Sequence, residues 1–169
     1  MLPDISTRPQ AIENEAGDAV LSIEIRDAAA SDESEWLRLW ADYLAFYDVK
    51  LSDDITRATW SRILDPASAV SMRVAADGDR LAGFAIHLAH PSTWVVNLDC
   101  YLEDLFVDES VRGQGVGRKL IDDLIAICDA RGYERLYWHT DEGNARARAL
   151  YDSYVKTDGH VRYRIRFER

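Results

Sequence analysis

The segment Val111-Arg112-Gly113-Gln114-Gly115-Val116-Gly117-Arg118 places glycine at three alternate positions between two arginines. It follows an apolar strand pattern and runs straight into a helix pattern. Glycines let the backbone come close to a ligand and turn its N–H groups inward. A helix N-terminus adds partial positive charge, so the turn suits a pyrophosphate, and Arg112 and Arg118 can neutralise what charge remains. A simple tight turn needs one glycine. A P-loop needs GxxxxGK followed by Ser or Thr, whereas Leu120 follows Lys119 here. The dinucleotide fingerprint GxGxxG also differs from this GxGxG with a leading arginine. A nucleotide or redox cofactor fails on that spacing.

No Ser-His-Asp or Cys-His arrangement is apparent, so no activated nucleophile stands ready to form an acyl-enzyme. His87, His90, His139 and His160 are scattered without metal spacing, and His139 alone is a candidate for the site. Cys100 and Cys128 lack a CxxC or other ligand spacing and read as buried small apolar residues. No metal is expected.

The elements that must position these groups follow from periodicity. Residues 1–18 are polar and read as a flexible arm, leaving 19–169 as one domain. Val20, Leu21, Ile23 and Ile25 predict a strand. Ser31 and Asp32 with Glu35 predict a helix start, and Trp36, Trp40, Tyr43, Leu44 and Tyr47 form its stripe. A second helix starts at Ser52 or Asp53 and stops at Asp65-Pro66. Residues 70–76 and 81–88 read as a hairpin about Asp77-Gly78-Asp79, and 97–107 as the next strand. The glycine turn opens a helix ending at Arg131-Gly132. A strand at 136–140, a helix at 144–154 and a last strand at 160–167 complete the order β-α-α-β-β-β-α-β-α-β.

Three segments resemble the GNAT superfamily of N-acetyltransferases, over most of the chain beyond the arm. Arg112 to Gly117 is similar to its R/Q-x-x-G-x-G/A turn. Tyr101-Leu102-Glu103-Asp104-Leu105-Phe106-Val107 resembles the strand before that turn in polyamine and diamine acetyltransferases. Asn144, Ala147, Leu150 and Tyr151 match the pattern N-x-x-A-x-x-L/F-Y. The usual Gly-Phe pair after Tyr151 is missing, since Tyr154 to Gly159 intervenes; the stretch instead resembles the histone- and polyamine-acetyltransferase-like branch.

The resemblance implies an α/β (α+β) fold with a central mixed, mostly antiparallel twisted sheet flanked by helices. It implies acetyl-CoA as cosubstrate, held by Leu105, Phe106, Val107, Arg112, Gly113, Gln114, Gly115, Val116, Gly117, Arg118 and Asn144. The backbone amides of Leu105 to Val107 would pair with the pantetheine arm, and Asn144 would reach it with its amide. Acetyl transfer to an amine needs a neutral amine, a polarised carbonyl and an acid for the departing thiolate. Glu103 lies at the position of the base, with Asp104 open as an alternative should a β-bulge turn it to the same face. Tyr151 holds the position of the acid. Trp40 and Tyr47 would wall an acceptor cleft, and Asp104 would help bind there; Trp36 and Tyr43 read as plain core.

The net charge of −10 argues against a nucleic-acid partner and is compatible with a cationic acceptor, such as a polyamine, a small amine or a basic peptide. No apolar run reaches the length of a membrane span, so no membrane partner and a cytoplasmic location are expected. Relatives in the family pair or exchange C-terminal strands, which implies a homodimer through 161–167. The competing expectation is a non-catalytic acyl-CoA-binding sensor, against which the presence of both Glu103 and Tyr151 speaks.

Overall fold

The central strands are buried on both faces, and their alternating side chains divide the interior into two cores, one on each side of a single sheet. The computed structural model describes residues 22–167. In chain order these form β1 (Glu24–Asp27), α1 (Glu33–Phe46), α2 (Asp53–Leu64), β2 (Val70–Asp77), β3 (Arg80–Pro91), β4 (Leu98–Val107), α3 (Val116–Arg131), β5 (Arg135–Trp138) and α4 (Ala145–Tyr151). Single 3-10 turns precede α1 and follow β4. The strands lie in the order β1-β2-β3-β4-β5. The first four are antiparallel and β5 is parallel to β4. The sheet is therefore mixed and mostly antiparallel, as expected.

On one face α1 and α2 bring Trp36, Leu39, Trp40 and Trp60 against Val74, Phe84, Ile86 and Phe106. Trp36 stacks on Trp40 at 5.4 Å and on Trp60 at 4.9 Å between ring centroids, which fills this side with aromatic area. On the other face Val116, Leu120 and Leu124 of α3 lie on Ala75, Ala82, Ala85 and Leu102. Three alanines at that contact let the helix come close to the strands. The free thiols of Cys100 and Cys128 are buried on this side.

Several boundaries differ from the sequence reading. Residues 160–167 form no strand: Val161, Tyr163, Ile165 and Phe167 are 75%, 93%, 82% and 77% exposed. Their alternation suits a half-buried strand, but a strand exists only against a ladder partner, and the described part of this chain presents none to them. The terminal strand of the expected order is thus absent from the described residues. α4 ends at Tyr151 rather than 154, because residues 152–154 curl into a turn. β1 runs over Glu24–Asp27, further along than expected; Val20, Leu21 and the arm at 1–18 lie outside the described residues. Asp32 precedes α1 without capping it: its carboxylate accepts from the Ala29 N–H and from Arg26.

Candidate active site

The strands β4 and β5 diverge, and that divergence creates the site. β5 pairs with β4 only from Asp99 to Leu102, whereas β3 continues to pair with β4 as far as Val107. Beyond Leu102, one edge of β4 is consequently open, with backbone groups able to accept an added extended chain. The open stretch Leu105–Val107 lines a cleft of about 350 Å³ that also meets the glycine turn and α4. Gly83 of β3 packs so tightly here that a Cβ would stand 2.6 Å from the Phe106 carbonyl oxygen.

The turn has the geometry that its glycines predict. Gly113 and Gly115 hold φ of +85° and +81°, a left-handed conformation that side chains disfavour. The Gly115 carbonyl accepts the Lys119 N–H at 3.0 Å, so the first N–H groups of α3 have no helical partner. Gly113, Gly115, Val116 and Gly117 line the cleft, so the turn has the form of a helix N-terminus whose free N–H groups suit an anion. Gln114 is exposed and does not line it. The two arginines divide the work. Arg112 donates from Nε to the Val107 carbonyl at 3.0 Å and lies over the Phe106 ring at 5.4 Å, fixing the end of β4. Arg118 lies 5.1 Å over Tyr154 and donates to Ser153 Oγ, yet both arginines still line the cleft.

The acidic pair straddles a β-bulge. Ile86 pairs with Asp104 and His87 with Leu102, so Glu103 is the extra residue in β4. The bulge brings Asp104 to the α1 side, where Tyr43 OH donates to its Oδ1. Burial raises the Asp104 carboxyl to about 6, opposed by the Tyr43 hydrogen bond and assisted by the Glu103 charge. Burial, and then the Asp104 charge, drive the Tyr43 phenol well above its ordinary value. Glu103 is exposed. His139 bonds the Tyr101 hydroxyl at 3.2 Å and does not line the cleft.

Of the two expected aromatic walls, Tyr47 lines the cleft and Trp40 does not. Trp40 is 6% exposed, stacks on Trp36 and Tyr43, and donates its N–H to Thr56. Tyr43, read as core, lines the cleft in its place together with Phe46. The sequence signal was position along the stripe: α1 leaves the core toward its C-terminal end, so the later aromatics reach the opening. Tyr151 also lines the cleft, with its ring 5.3 Å from Trp138. Burial, then the nearby Tyr47, push its phenol up to about 12. The Asn144 side chain accepts the Ala147 N–H at 3.2 Å as an N-cap, and the residue still lines the cleft. Arg146 lines it as well, a residue that no sequence motif singled out. Among the described residues no group of three His, Cys, Asp or Glu side chains could hold a metal.

An open strand edge, a glycine turn at a helix N-terminus and a phenol between them meet in this one cleft. A family model described as Acetyltransferase (GNAT) family matches residues 26–154. The D-amino-acid N-acetyltransferase HPA3 of Saccharomyces cerevisiae is 36% identical over 140 residues, covering 80% of this chain and 86% of the relative. The thialysine N-epsilon-acetyltransferase of Bos taurus is 30% identical over 143 residues, covering 79% and 84%. Among solved structures, AAC(6')-Iy in complex with the bisubstrate analogue CoA-S-monomethyl-acetylneamine superposes with a TM-score of 0.72, at 21% identity, covering 86% of this chain and 99% of that one. This chain belongs to the GNAT family and has its fold. It is an acetyl-transferring enzyme.

Proposed function

We propose that the enzyme moves the acetyl group of acetyl-CoA to a cationic primary amine by direct attack. The observation that carries this reading is the open edge of β4 at Leu105–Val107, leading into the glycine turn. An extended pantetheine arm laid along that edge sends its pyrophosphate to the N–H groups of Gly113–Gly117. Asn144 turns its amide toward the arm, and Arg118 supplies countercharge. The thioester then lies between β4 and α4, with a β4 N–H polarising its carbonyl.

The amine arrives protonated and must lose a proton before it attacks. Tyr43 offers its phenol oxygen to the ammonium and passes its own proton to Asp104, whose pKa near 6 suits a group that must alternate between forms. Glu103, on the exposed side of the bulge, adds the negative charge that draws the cation inward. Tyr47 and Phe46 give it an aromatic wall. The attacking nitrogen forms the C–N bond as the C–S bond breaks. Tyr151, its phenol pushed up to about 12, gives its proton to the departing thiolate. It is reprotonated through solvent, which takes up the second proton that the nitrogen sheds on becoming the amide.

The names of the relatives, a D-amino-acid and a thialysine acetyltransferase, support a small amine acceptor, while the acidic surroundings also accommodate a polyamine or basic peptide. Residues 19–169 would act as one domain in a homodimer, in which the unpartnered Val161–Phe167 finds a ladder on a second copy. A panel of amines incubated with acetyl-CoA, with release of free thiol recorded, tests the reading; no release with any amine, by a chain that binds coenzyme A, would favour the sensor instead.

A further inference from the structure

We propose that the Arg38–Asp108 pair is a positioning device that locks α1 to the coenzyme turn, so that the acceptor wall and the coenzyme site are set together. The inference rests on reading the turn as a coenzyme A phosphate site. Asp108 is 7% exposed and follows Val107, the last residue of the open β4 edge. Its carboxylate accepts from four donors on three separate pieces of chain. Arg38 of α1 donates at 2.7 Å and Arg80 of β3 at 3.0 Å to Oδ2. The Ser110 N–H at 3.0 Å and hydroxyl at 2.6 Å bind Oδ1. The Asp108 N–H is in turn held by the Ala82 carbonyl at 2.9 Å.

Ser110 lies in the short turn that delivers the chain to Gly113, so the Oδ1 contacts fix where the glycine turn begins. Arg38 is equally constrained, because its second nitrogen donates to Glu35 at 3.0 Å and to the Leu81 carbonyl at 2.9 Å. Further along the same helix stand Tyr43, Phe46 and Tyr47, which line the cleft. Glu35 of the same helix fixes the guanidinium's plane, while Asp108 and the Leu81 carbonyl tie it to β3 and the turn, so α1 does not shift without moving the turn. Burial would raise the Asp108 carboxyl, but the donors from Ser110, Arg38 and Arg80 outweigh it and hold it well below the usual range. The pair stays charged at every working pH. Neither Arg38 nor Asp108 lines the cleft, so any effect on substrate must pass through position.

The test measures the KM of acetyl-CoA, the KM of the amine, kcat and Tm for R38Q, D108N and the double variant. R38Q should raise both KM values by about two- to thirtyfold, the range reported for coupling residues away from the ligands, with a smaller change in kcat. The double variant should cost no more than the worse single one, because one linkage is lost in each. Should R38Q fail to fold, R38K takes its place, since an ammonium keeps the charge but cannot bridge Asp108, Glu35 and the Leu81 carbonyl. A lowered Tm with both KM values at wild type would overturn the proposal, as would penalties that multiply in the double variant. A wild-type chain without affinity for coenzyme A in calorimetry would overturn the functional reading itself. A wild type that binds, matched by R38Q, would overturn this inference alone.

Discussion

Replacing Asp104 by Asn should make the protein more stable and nearly inactive, and the two effects should separate with pH. Asp104 rises from its ordinary 3.8 to about 6 because burial opposes its charge, even with Tyr43 donating to it. That rise corresponds to about 3 kcal/mol of native-state cost for holding the ionised form at neutral pH. Asn keeps the shape and an oxygen to accept from Tyr43 but carries no charge. The sign follows from the proton count: between pH 3.8 and about 6 the native state binds more protons than the unfolded one. Wild-type stability attributable to Asp104 is therefore full below pH 3.8 and lost as pH rises through about 6. D104N should melt several degrees above wild type at pH 7.5, at about 2–4 °C per kcal/mol for a chain of this size, and the gap should close toward pH 4. Its kcat/KM should fall by about 10²–10⁴, the usual range for losing a general base. Calorimetric melts across pH and steady-state rates measure both. A D104N protein no more stable at pH 7.5, or a gap that widens on acidification, would refute the reasoning.

Other perturbations probe separate parts of the account. Wild-type kcat/KM should decline below pH about 6 as Asp104 protonates, and Y43F should lower the plateau by breaking the relay. E103Q should cost less than D104N, since Glu103 stands outside the buried contact; equal losses would restore Glu103 as the base. Y151F should lower kcat by about 10²–10⁴ with little change in coenzyme A affinity by calorimetry. G115D puts a carboxylate where the phosphates would bind, at a φ of +81° that Asp accepts better than most side chains, with open space around its Cβ, and should abolish coenzyme A binding in a folded protein. G83A should displace the Phe106 backbone, raising the acetyl-CoA KM and lowering Tm together. Light scattering at micromolar concentration should give a dimer mass, and truncation before His160 a monomer.

The turn was legible because its demands are local. Glycine meets the φ at Gly113 and Gly115 more readily than any other residue, and a run from strand to glycines to helix can be seen in a few consecutive letters. The bulge was open to inference from the resemblance, and the register slip that frees Glu103 fits it. What escaped were properties of packing. Trp40 and Tyr43 share one helical stripe, and only the distance from the helix to the β4 opening decides that the first is core and the second cleft. The Asp108 node joins residues up to 70 positions apart, beyond the reach of any local pattern. Val161 to Phe167 has a strand's alternation, but a pattern of side chains cannot say whether a neighbouring edge exists to receive it.

Acetyl transfer to an amine is the activity on which the site assignments depend. Purified protein, acetyl-CoA and a panel of primary amines should release free coenzyme A thiol in step with an amine product one acetyl group heavier by mass. Release should depend on the amine and vanish in G115D. Thiol release that is unchanged when the amine is omitted, or no release by a folded protein with any amine tested, would contradict it.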